Sequence, residues 1–449
     1  MRRRLFPFLA FVLTCLTGWT IAMCKAPAKE PAAPLDQPRE TGDRSPVGGD
    51  STRENATAAA VVGRVRELHG AVEFDANGKP IGIDLLDRQA SDDDVQTLTR
   101  LPGLKKLSLW GAKITDDGAA QLAAFAELEQ LVLENTAVSD KGLQVLRKLP
   151  NLKALNLRRT PRMTDAGLAV VKDLPRLQNL SLLYNNIGDA GMIELKGMNR
   201  LRLLDLRGCT MIDDAGLEHI RGLTELRSLK LQNPAVTDVG LAQLAGMAKL
   251  TSLSIEDANC SDEGLKVLEN MPDMEDLTVF RCVGVSDGGL DYLKNLKKLK
   301  QLALRETPVS GPGLSNLLGA KNLKKLDLNE TSVGDDALTI VAKLAGLQWL
   351  NLMHTNISNA GLERLAALAD LKYLNLADTE ITDAGLTHLG KMAALETLDL
   401  TATKISDAGL PRLYGLMNLK SLIVARTDVT AAGAEELCKS LPQCEVVQQ

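Results

Sequence analysis

Few side chains in this chain have the type and spacing that catalysis requires. Only four histidines occur among the 449 residues, and His219 and His388 stand at the same place in a repeated pattern, as surface residues of one layer would. The motifs G-x-S-x-G, H-E-x-x-H and the phosphate-binding loop are absent, and no G-x-G-x-x-G joins a strand to a helix. The sequence therefore predicts a protein that is not an enzyme and holds no cofactor.

Cysteines and carboxylates also give no metal-binding signature. None of the seven cysteines forms a C-x-x-C pair. Cys209, Cys260 and Cys282 fill repeat positions otherwise held by threonine or valine, so we expect small core residues there. Aspartates recur at one position and suggest a calcium ladder, but each copy supplies only one or two, and these are useful as helix caps. We predict no bound metal.

The elements that position these side chains belong to a repeat that fills residues 104–441. Fourteen copies of one pattern follow each other at intervals of 24 residues, with three intervals of 25. One copy reads Leu371-x-x-Leu374-x-Leu376-x-x-Thr379-x-Ile381-Thr382-Asp383-x-Gly385-Leu386-x-x-Leu389-x-x-Met392. The copies begin at Leu104, Leu128, Leu152, Leu177, Leu201, Leu226, Leu250, Met274, Leu299, Leu323, Leu347, Leu371, Leu395 and Leu419.

The spacing of the leucines predicts a strand and then a helix in every copy. Leu374 and Leu376 are two residues apart, the period of a strand with one buried face. Leu386, Leu389 and Met392 are three apart, as in a short helix. One copy cannot bury its leucines, but stacked copies bury a continuous core between a parallel sheet and a helix layer.

A fixed period of this length with L-x-x-L-x-L at its head resembles leucine-rich-repeat proteins. The I/V-[ST]-D-x-G-L tail resembles the ribonuclease-inhibitor-like and cysteine-containing subclasses. The resemblance implies an α/β solenoid shaped as a horseshoe, with a parallel concave sheet and convex helices. Cysteine-type repeats are also similar to those of F-box proteins that select ubiquitin-ligase substrates, although this chain has an export signal where an F-box is expected.

Three further columns of the repeat are expected to serve the backbone. The column of Thr379 holds small polar residues that can bond turn backbone beyond the strand. The Ser/Thr-Asp pair, as in Thr382-Asp383, provides a helix cap and a negative charge at the helix start, with either residue as the cap. The glycine column, replaced only by Ala337 in repeat ten, allows close approach of neighbouring copies.

The residues that alternate with the strand leucines are predicted to face solvent on the concave side. Aromatic residues are scarce, yet several stand in or beside these positions next to arginine and methionine, which favours protein recognition. The predicted ring-bearing and neighbouring positions are Trp110, Tyr184, Phe280, Arg305, Trp349, Met353, His354 and Tyr373. Chance placement on the widest exposed face remains the alternative.

Two polar groups complete the predicted binding surface. Repeats ten to thirteen place a carboxylate or amide in the central column of four successive strands, a row suited to peptide backbone or sugar hydroxyls; its members are Asp327, Asn351, Asn375 and Asp399. An ordinary polar row between two strand leucines is the alternative. Arg158, Arg159 and Arg207, beside Tyr184, form a weaker patch whose guanidinium groups are expected to pair with a partner's acids.

The segment before the repeats is predicted to export and tether them. Arg2, Arg3 and Arg4 precede an apolar run to Met23, which is typical of a signal sequence in residues 1–24. Ile21-Ala22-Met23-Cys24 resembles the lipobox of a bacterial lipoprotein, although Met23 is bulky, so lipidation of Cys24, ordinary cleavage and an uncleaved membrane anchor all remain open. Residues 25–58 are rich in Pro and Ala and predict a disordered tether.

Terminal units are predicted to cap the solenoid. Residues 59–103 contain a helix from Ala59 to Leu68, two strands and a degenerate repeat in register with Leu104. Residues 442–449 form the C-terminal cap, where Cys438 and Cys444 form either a disulfide or a pair of buried thiols.

These features predict a non-catalytic recognition module at the cell envelope or secreted, which binds a protein or peptide along its concave face. The alternatives are a carbohydrate or cell-wall binder, a self-associating envelope protein, and a substrate receptor like the F-box proteins. A net charge of −5, with bases interspersed among acids, argues against a nucleic-acid partner. Contact with a membrane is expected only through the N-terminal lipid or anchor.

Overall fold

A computed structural model describes residues 51–448, which form one open sheet lined by helices. The predicted signal, the lipidation candidate Cys24 and most of the predicted tether lie outside the described residues. The first helix covers Ser51–Glu67, so the predicted start at Ala59 is wrong, and the last eight residues of the predicted tether are helical. Within residues 51–448 no helix is both long and apolar enough to cross a bilayer.

The sheet has 17 strands in chain order, and each copy of the repeat contributes one of them. The strands are β1 Ala71–Phe74, β2 Pro80–Asp84, β3 Lys106–Trp110, β4 Gln130–Glu134, β5 Ala154–Asn156, β6 Asn179–Ser181, β7 Leu203–Asp205, β8 Ser228–Gln232, β9 Ser252–Glu256, β10 Asp276–Phe280, β11 Gln301–Ala303, β12 Lys325–Asp327, β13 Trp349–Asn351, β14 Tyr373–Asn375, β15 Thr397–Asp399, β16 Ser421–Ile423 and β17 Glu445–Val447. All neighbouring pairs are parallel except β1 and β2, which form an antiparallel hairpin. The predicted parallel sheet is confirmed.

Short helices return the chain behind the sheet. The α-helices are α1 Ser51–Glu67, α2 Asp92–Leu98, α3 Asp116–Gln121, α4 Asp165–Val171, α5 Asp189–Met192, α6 Asp214–Ile220, α7 Asp238–Ala242, α8 Asp335–Val341, α9 Asn359–Leu365, α10 Leu386–Leu389 and α11 Ala431–Ser440. 3₁₀ turns follow α3, α5 and α7 at Leu122–Ala124, Ile193–Leu195 and Gln243–Gly246. In other copies a 3₁₀ turn replaces the α-helix, at Gly142–Lys148, Asp262–Asn270, Asp287–Leu293, Pro312–Gly319 and Leu410–Leu413. The core between the two layers is continuous from Val61 to Val446.

The hydroxyl column bonds the backbone as predicted. Thr379 donates to the Leu376 carbonyl at 2.6 Å, and Thr403 donates to the Leu400 carbonyl at 2.6 Å. Cys209 stands in the same column and lies 3.1 Å from the Leu182 carbonyl. Its thiol is fully buried, which raises its pKa to about 11. The prediction that this cysteine is a small core residue is therefore confirmed.

The two residues of the Ser/Thr-Asp pair bond different copies of the repeat: the hydroxyl caps the helix of its own copy, and the aspartate bonds the next copy. In the pair Thr237-Asp238, Thr237 is the helix cap, since its hydroxyl accepts a bond from the Val239 amide at 3.2 Å. The aspartate binds the next copy instead: Asp238 accepts bonds from the Ser261 amide at 2.7 Å and hydroxyl at 2.6 Å. The open question of which residue is the cap is thus resolved in favour of the hydroxyl.

The glycine column is explained by the same aspartates. A Cβ atom built on Gly167 would lie 2.5 Å from Asp140 Oδ1, and one built on Gly191 would lie 2.5 Å from Asp165 Oδ1. Each glycine therefore leaves room for the aspartate of the preceding copy. Repeat ten carries Ala337 because the residue it faces is Gly311, which has no side chain.

At the C-terminal cap, Cys438 Sγ lies 3.8 Å from the Cys444 carbonyl oxygen. The predicted C-terminal cap, residues 442–449, contains the strand β17.

Candidate recognition surface

Five side chains on the concave face form two groups of rings and cations. We call them together the ring–cation strip: Lys325, Trp349 and Tyr373 begin the adjacent strands β12 to β14, and Phe280 and Arg305 lie at the carboxyl-terminal ends of β10 and β11. The register of the parallel pairs aligns Lys325 with Trp349 and Trp349 with Tyr373. The period of the repeat thus places rings from consecutive copies next to each other.

Trp349 is packed on both sides by its neighbours in the sheet. Its ring stacks on Tyr373, with centroids 4.7 Å apart and an interplanar angle of 6°. The Lys325 ammonium lies 4.4 Å from the Trp349 centroid and comes from the opposite neighbouring strand. The centroid distance is close to the spacing between strands, about 4.8 Å. The two rings therefore stand upright on the sheet and turn their edges, rather than their faces, to solvent.

Phe280, at the carboxyl-terminal end of β10, contacts two guanidinium groups. Its centroid is 4.4 Å from the Arg281 guanidinium carbon and 4.7 Å from that of Arg305. Arg281 also forms ion pairs with Asp257 at 3.0 Å and Glu306 at 3.1 Å, which fix its position. Arg305 is the freer cation, since its nearest carboxylate, Asp327, is 3.9 Å away.

The central polar row turns back to the protein's own backbone. Each member accepts a hydrogen bond from the amide two residues later, at 2.8 Å for Asn375, 2.9 Å for Asp399, 3.1 Å for Asn351 and 3.2 Å for Asp327. Asp327 and Asn375 are only 8% and 7% exposed. The prediction that these two face solvent is wrong, because the short side chain ends the strand by bonding the turn and lies below the larger neighbours.

Burial at the centre of this surface shifts two acidic groups in the same direction. Burial raises the pKa of the Asp327 carboxyl, against the opposing effect of its bond from the Asn329 amide. Burial also raises the pKa of the Tyr373 hydroxyl. In both cases burial disfavours the charged form of the side chain.

Met353 and His354 border the strip at the exit of β13. Met353 is half-buried, whereas His354 is exposed and has a positive φ of 52°. The imidazole Nδ1 of His354 lies 2.6 Å from an Asp378 carboxylate oxygen, and this bond raises the pKa of His354. Sequence reasoning missed Asp378 and Arg281, although both stand in the same repeat column as His354.

The predicted arginine patch is largely paired within the protein. Arg158 forms an ion pair with Glu134 at 3.1 Å, and Arg207 binds Asp205 through two contacts of 3.0 and 2.8 Å. Arg159 lies 5.1 Å from the ring centroid of Tyr184, which is 44% exposed. The expectation that three guanidinium groups await a partner's acids is therefore wrong for Arg158 and Arg207, whose charges are already balanced.

Trp110 stands apart from the strip on β3, at the N-terminal part of the sheet. The ring is half-buried, and its indole Nε1 is buried without a hydrogen-bond partner among the described residues. Within residues 51–448 no group of three or more His, Cys, Asp or Glu side chains has an arrangement that could hold a metal ion.

Comparisons with known proteins agree with the repeat geometry. A leucine-rich-repeat family model matches residues 175–196, 199–220 and 368–390. The structure is similar to that of a leucine-rich-repeat protein of Leptospira interrogans, with a TM-score of 0.53 and 19% identity over 78% of this chain and 86% of the other. The chain has the leucine-rich-repeat fold.

Two further structures are similar to this chain, with lower TM-scores. An internalin of Listeria monocytogenes has a TM-score of 0.44 and 16% identity, over 87% of this chain and 94% of the internalin. TLR13 in its complex with ssRNA13 has a TM-score of 0.49 and 19% identity, over 78% of this chain and 60% of TLR13. A search of curated proteins found no match.

Proposed function

We propose that this protein is a non-catalytic, exported recognition module that binds a protein or peptide along its concave face, with the ring–cation strip at the centre of the contact. The carrying observation is the stack of Trp349 on Tyr373 beside Lys325, with the pair of Phe280 and Arg305 nearer the carboxyl-terminal edge of the same sheet. Tryptophan, tyrosine and arginine are the residues most enriched where protein interfaces hold their binding energy. Stacking fixes these side chains before the partner arrives, which reduces the entropy lost on binding.

The orientation of the rings favours a protein partner over a glycan. Sugars usually bind aromatic side chains through the ring face, but Lys325 and Tyr373 occupy the two faces of Trp349. Only the outer face of Tyr373 is left, beside Thr397 of β15. The polar row expected to receive sugar hydroxyls is bonded to turn amides. A polypeptide can use the exposed ring edges together with the cations of Lys325 and Arg305.

The test compares capture of envelope proteins by the wild type and by the double variant Trp349→Ala/Tyr373→Ala. A pair of exposed convex-side changes, Lys343→Ala/Glu363→Ala, is the control. The partner retained by the wild type is then purified and its Kd measured. Removing a residue of this kind costs about 2 kcal/mol, or about 30-fold in Kd. Equal binding by all three proteins would refute the proposal.

Two further measurements separate the other functions. A glycan array that retains the wild type, with loss on Trp349→Ala, would favour the carbohydrate alternative. Light scattering at several concentrations tests self-association, which would appear as a mass that rises with concentration. Recognition of a protein is supported when a single protein partner is retained, the glycan array retains nothing and the mass does not change with concentration.

A further inference from the structure

A second concave feature lies at the N-terminal cap, away from the ring–cation strip. It is a cavity of about 780 Å³ between α1, the turn that joins β1 to β2, and the segment after α2. The walls include the apolar side chains of Val62, Phe74, Pro80 and Leu101. Phe74 is 45% exposed, which is unusual for so large an apolar side chain. The size falls in the range of small-molecule sites.

Among the side chains that the structure describes, the charged residues lining this cavity are cations. Arg66 comes from α1, Lys79 from the β-hairpin turn and Arg100 from the segment after α2. Nearby cations are paired, as Arg64 is with Asp94 and Lys106 with Glu73. Within residues 51–448 the structure gives Arg66, Lys79 and Arg100 no ion pair.

The carboxylate of Asp75, in the β-hairpin turn, bonds the turn backbone, and the Lys79 ammonium lies over the opposite wall of the cavity at Gly103. Asp75 accepts bonds from the Asn77 and Lys79 amides, both at 2.9 Å, so its carboxylate closes the turn. The Lys79 ammonium packs against Gly103: its Nζ atom would lie 2.9 Å from a Cβ atom built on that glycine. The turn and the segment after α2 thus meet through this ammonium at the edge of the cavity.

We propose that this cavity binds an anionic amphiphile, a molecule with an acidic headgroup and an acyl chain. Three cations from three separate elements match the headgroup, and Val62, Phe74, Pro80 and Leu101 match the chain. A purely polar polyanion would leave the apolar walls unused, and a neutral lipid would leave the cations unmatched. The inference is independent of the proposed role of the concave strip.

Calorimetric titration of the purified protein with decanoate and with decanol tests this site. These probes differ in charge but share the chain. The wild type should bind decanoate at least about tenfold more tightly than decanol, as one retained charged hydrogen bond implies. The variant Arg66→Gln/Lys79→Gln/Arg100→Gln should lose about tenfold or more for decanoate and keep its affinity for decanol.

The control variant Lys196→Gln/Lys343→Gln/Lys391→Gln removes the same charge from exposed positions outside the cavity. It should bind decanoate as the wild type does. Equal loss in both triple variants, or no loss in the first, would overturn the proposal. All six side chains are exposed, and matching thermal melts would show that both variants fold.

Vesicles distinguish the source of the ligand. Sedimentation with phosphatidylglycerol vesicles but not phosphatidylcholine vesicles, lost in the Arg66/Lys79/Arg100 variant, would assign the acidic headgroup to a membrane lipid. Decanoate binding without vesicle capture would assign a free fatty acid. Failure with both probes would refute the site.

Discussion

At the scale of single residues, one aspartate in most copies joins that copy to the next; repeat eleven uses Asn359, and repeat nine has Gly311 there. Asp335 accepts both the amide and the hydroxyl of Ser358, and its carboxylate occupies the space that the missing side chain of Gly361 leaves open. One contact therefore accounts for three columns of the repeat, the hydroxyl, the aspartate and the glycine. Gly311 and Ala337 are the exception: here the copy with the glycine in the aspartate position faces an alanine in the glycine position, so one small side chain still fits between the copies.

This contact predicts a double-mutant cycle. Asp335→Ala should lower the free energy of unfolding by about 1–3 kcal/mol, because two hydrogen bonds are lost. The adjacent Asp336→Ala is the matched control and should change it little, since that side chain is fully exposed. Gly361→Ala should destabilise the wild type but cost less in the Asp335→Ala background, where the opposing carboxylate is gone. Additive costs in urea unfolding would disprove the contact.

The His354–Asp378 contact predicts a pH-dependent charge at the border of the strip. The bond to Asp378 raises the pKa of His354, and Glu330 acts in the same direction. The pair therefore stabilises the fold at pH values below the unfolded pKa, and this contribution is lost as pH rises through the folded pKa.

The pKa of His354 can be measured by NMR titration of its imidazole resonance, assigned with His354→Gln. Asp378→Asn should lower that pKa toward its ordinary value, because the asparagine keeps the shape but removes the charge. An unchanged pKa in this variant would show that the contact does not form in solution.

At the scale of elements, the sequence predicts where strands begin better than where they end. In all six copies with Asn or Asp in the central column the strand stops at that residue. The five-residue strands have Ser, Val, Lys or Thr there instead. The amide or carboxylate competes for the turn backbone. The Asn or Asp in the central column could have been read from the sequence as a strand end. The alternation of leucines alone predicts that every central residue faces outward.

The interface between repeats nine and ten lacks the aspartate contact entirely. Gly311 replaces the aspartate, Gly334 replaces the capping hydroxyl and Ala337 replaces the glycine. The sequence predicts a soft seam at 305–322 from Pro308, Gly311-Pro312 and Ala320. Because the missing contact joins two copies, we place the weakest point between residues 311 and 337.

Hydrogen exchange tests this seam. Amides of residues 311–337 should exchange faster than those of the corresponding positions in repeats eleven and twelve, which keep the contact through Asp335 and Asn359. Equal protection across repeats nine to twelve would mean that packing alone holds the copies together.

At the scale of the whole molecule, the fold followed from the period because every copy repeats the same buried positions. Strand order, parallel pairing and the degenerate unit before Leu104 could all be predicted without a structure. The surface could be predicted only in part. Trp349 and Tyr373 are neighbours because the register brings them together, but the pairing of Arg207 with Asp205 and the burial of Asn375 depend on side-chain conformations that no period specifies.

The most direct test of the central claim is a photo-crosslinking comparison between the two faces of the solenoid. A benzophenone side chain is placed at Thr397, next to Tyr373 on the concave sheet, or at Glu363, exposed on α9. In an envelope extract, the probe at Thr397 should crosslink to one discrete protein. Excess unlabelled wild type should compete for that protein and abolish the crosslink, whereas excess unlabelled Trp349→Ala variant should not. The probe at Glu363 should give no crosslink. Crosslinking from Glu363 alone, or equally from both positions, would contradict recognition by the concave face.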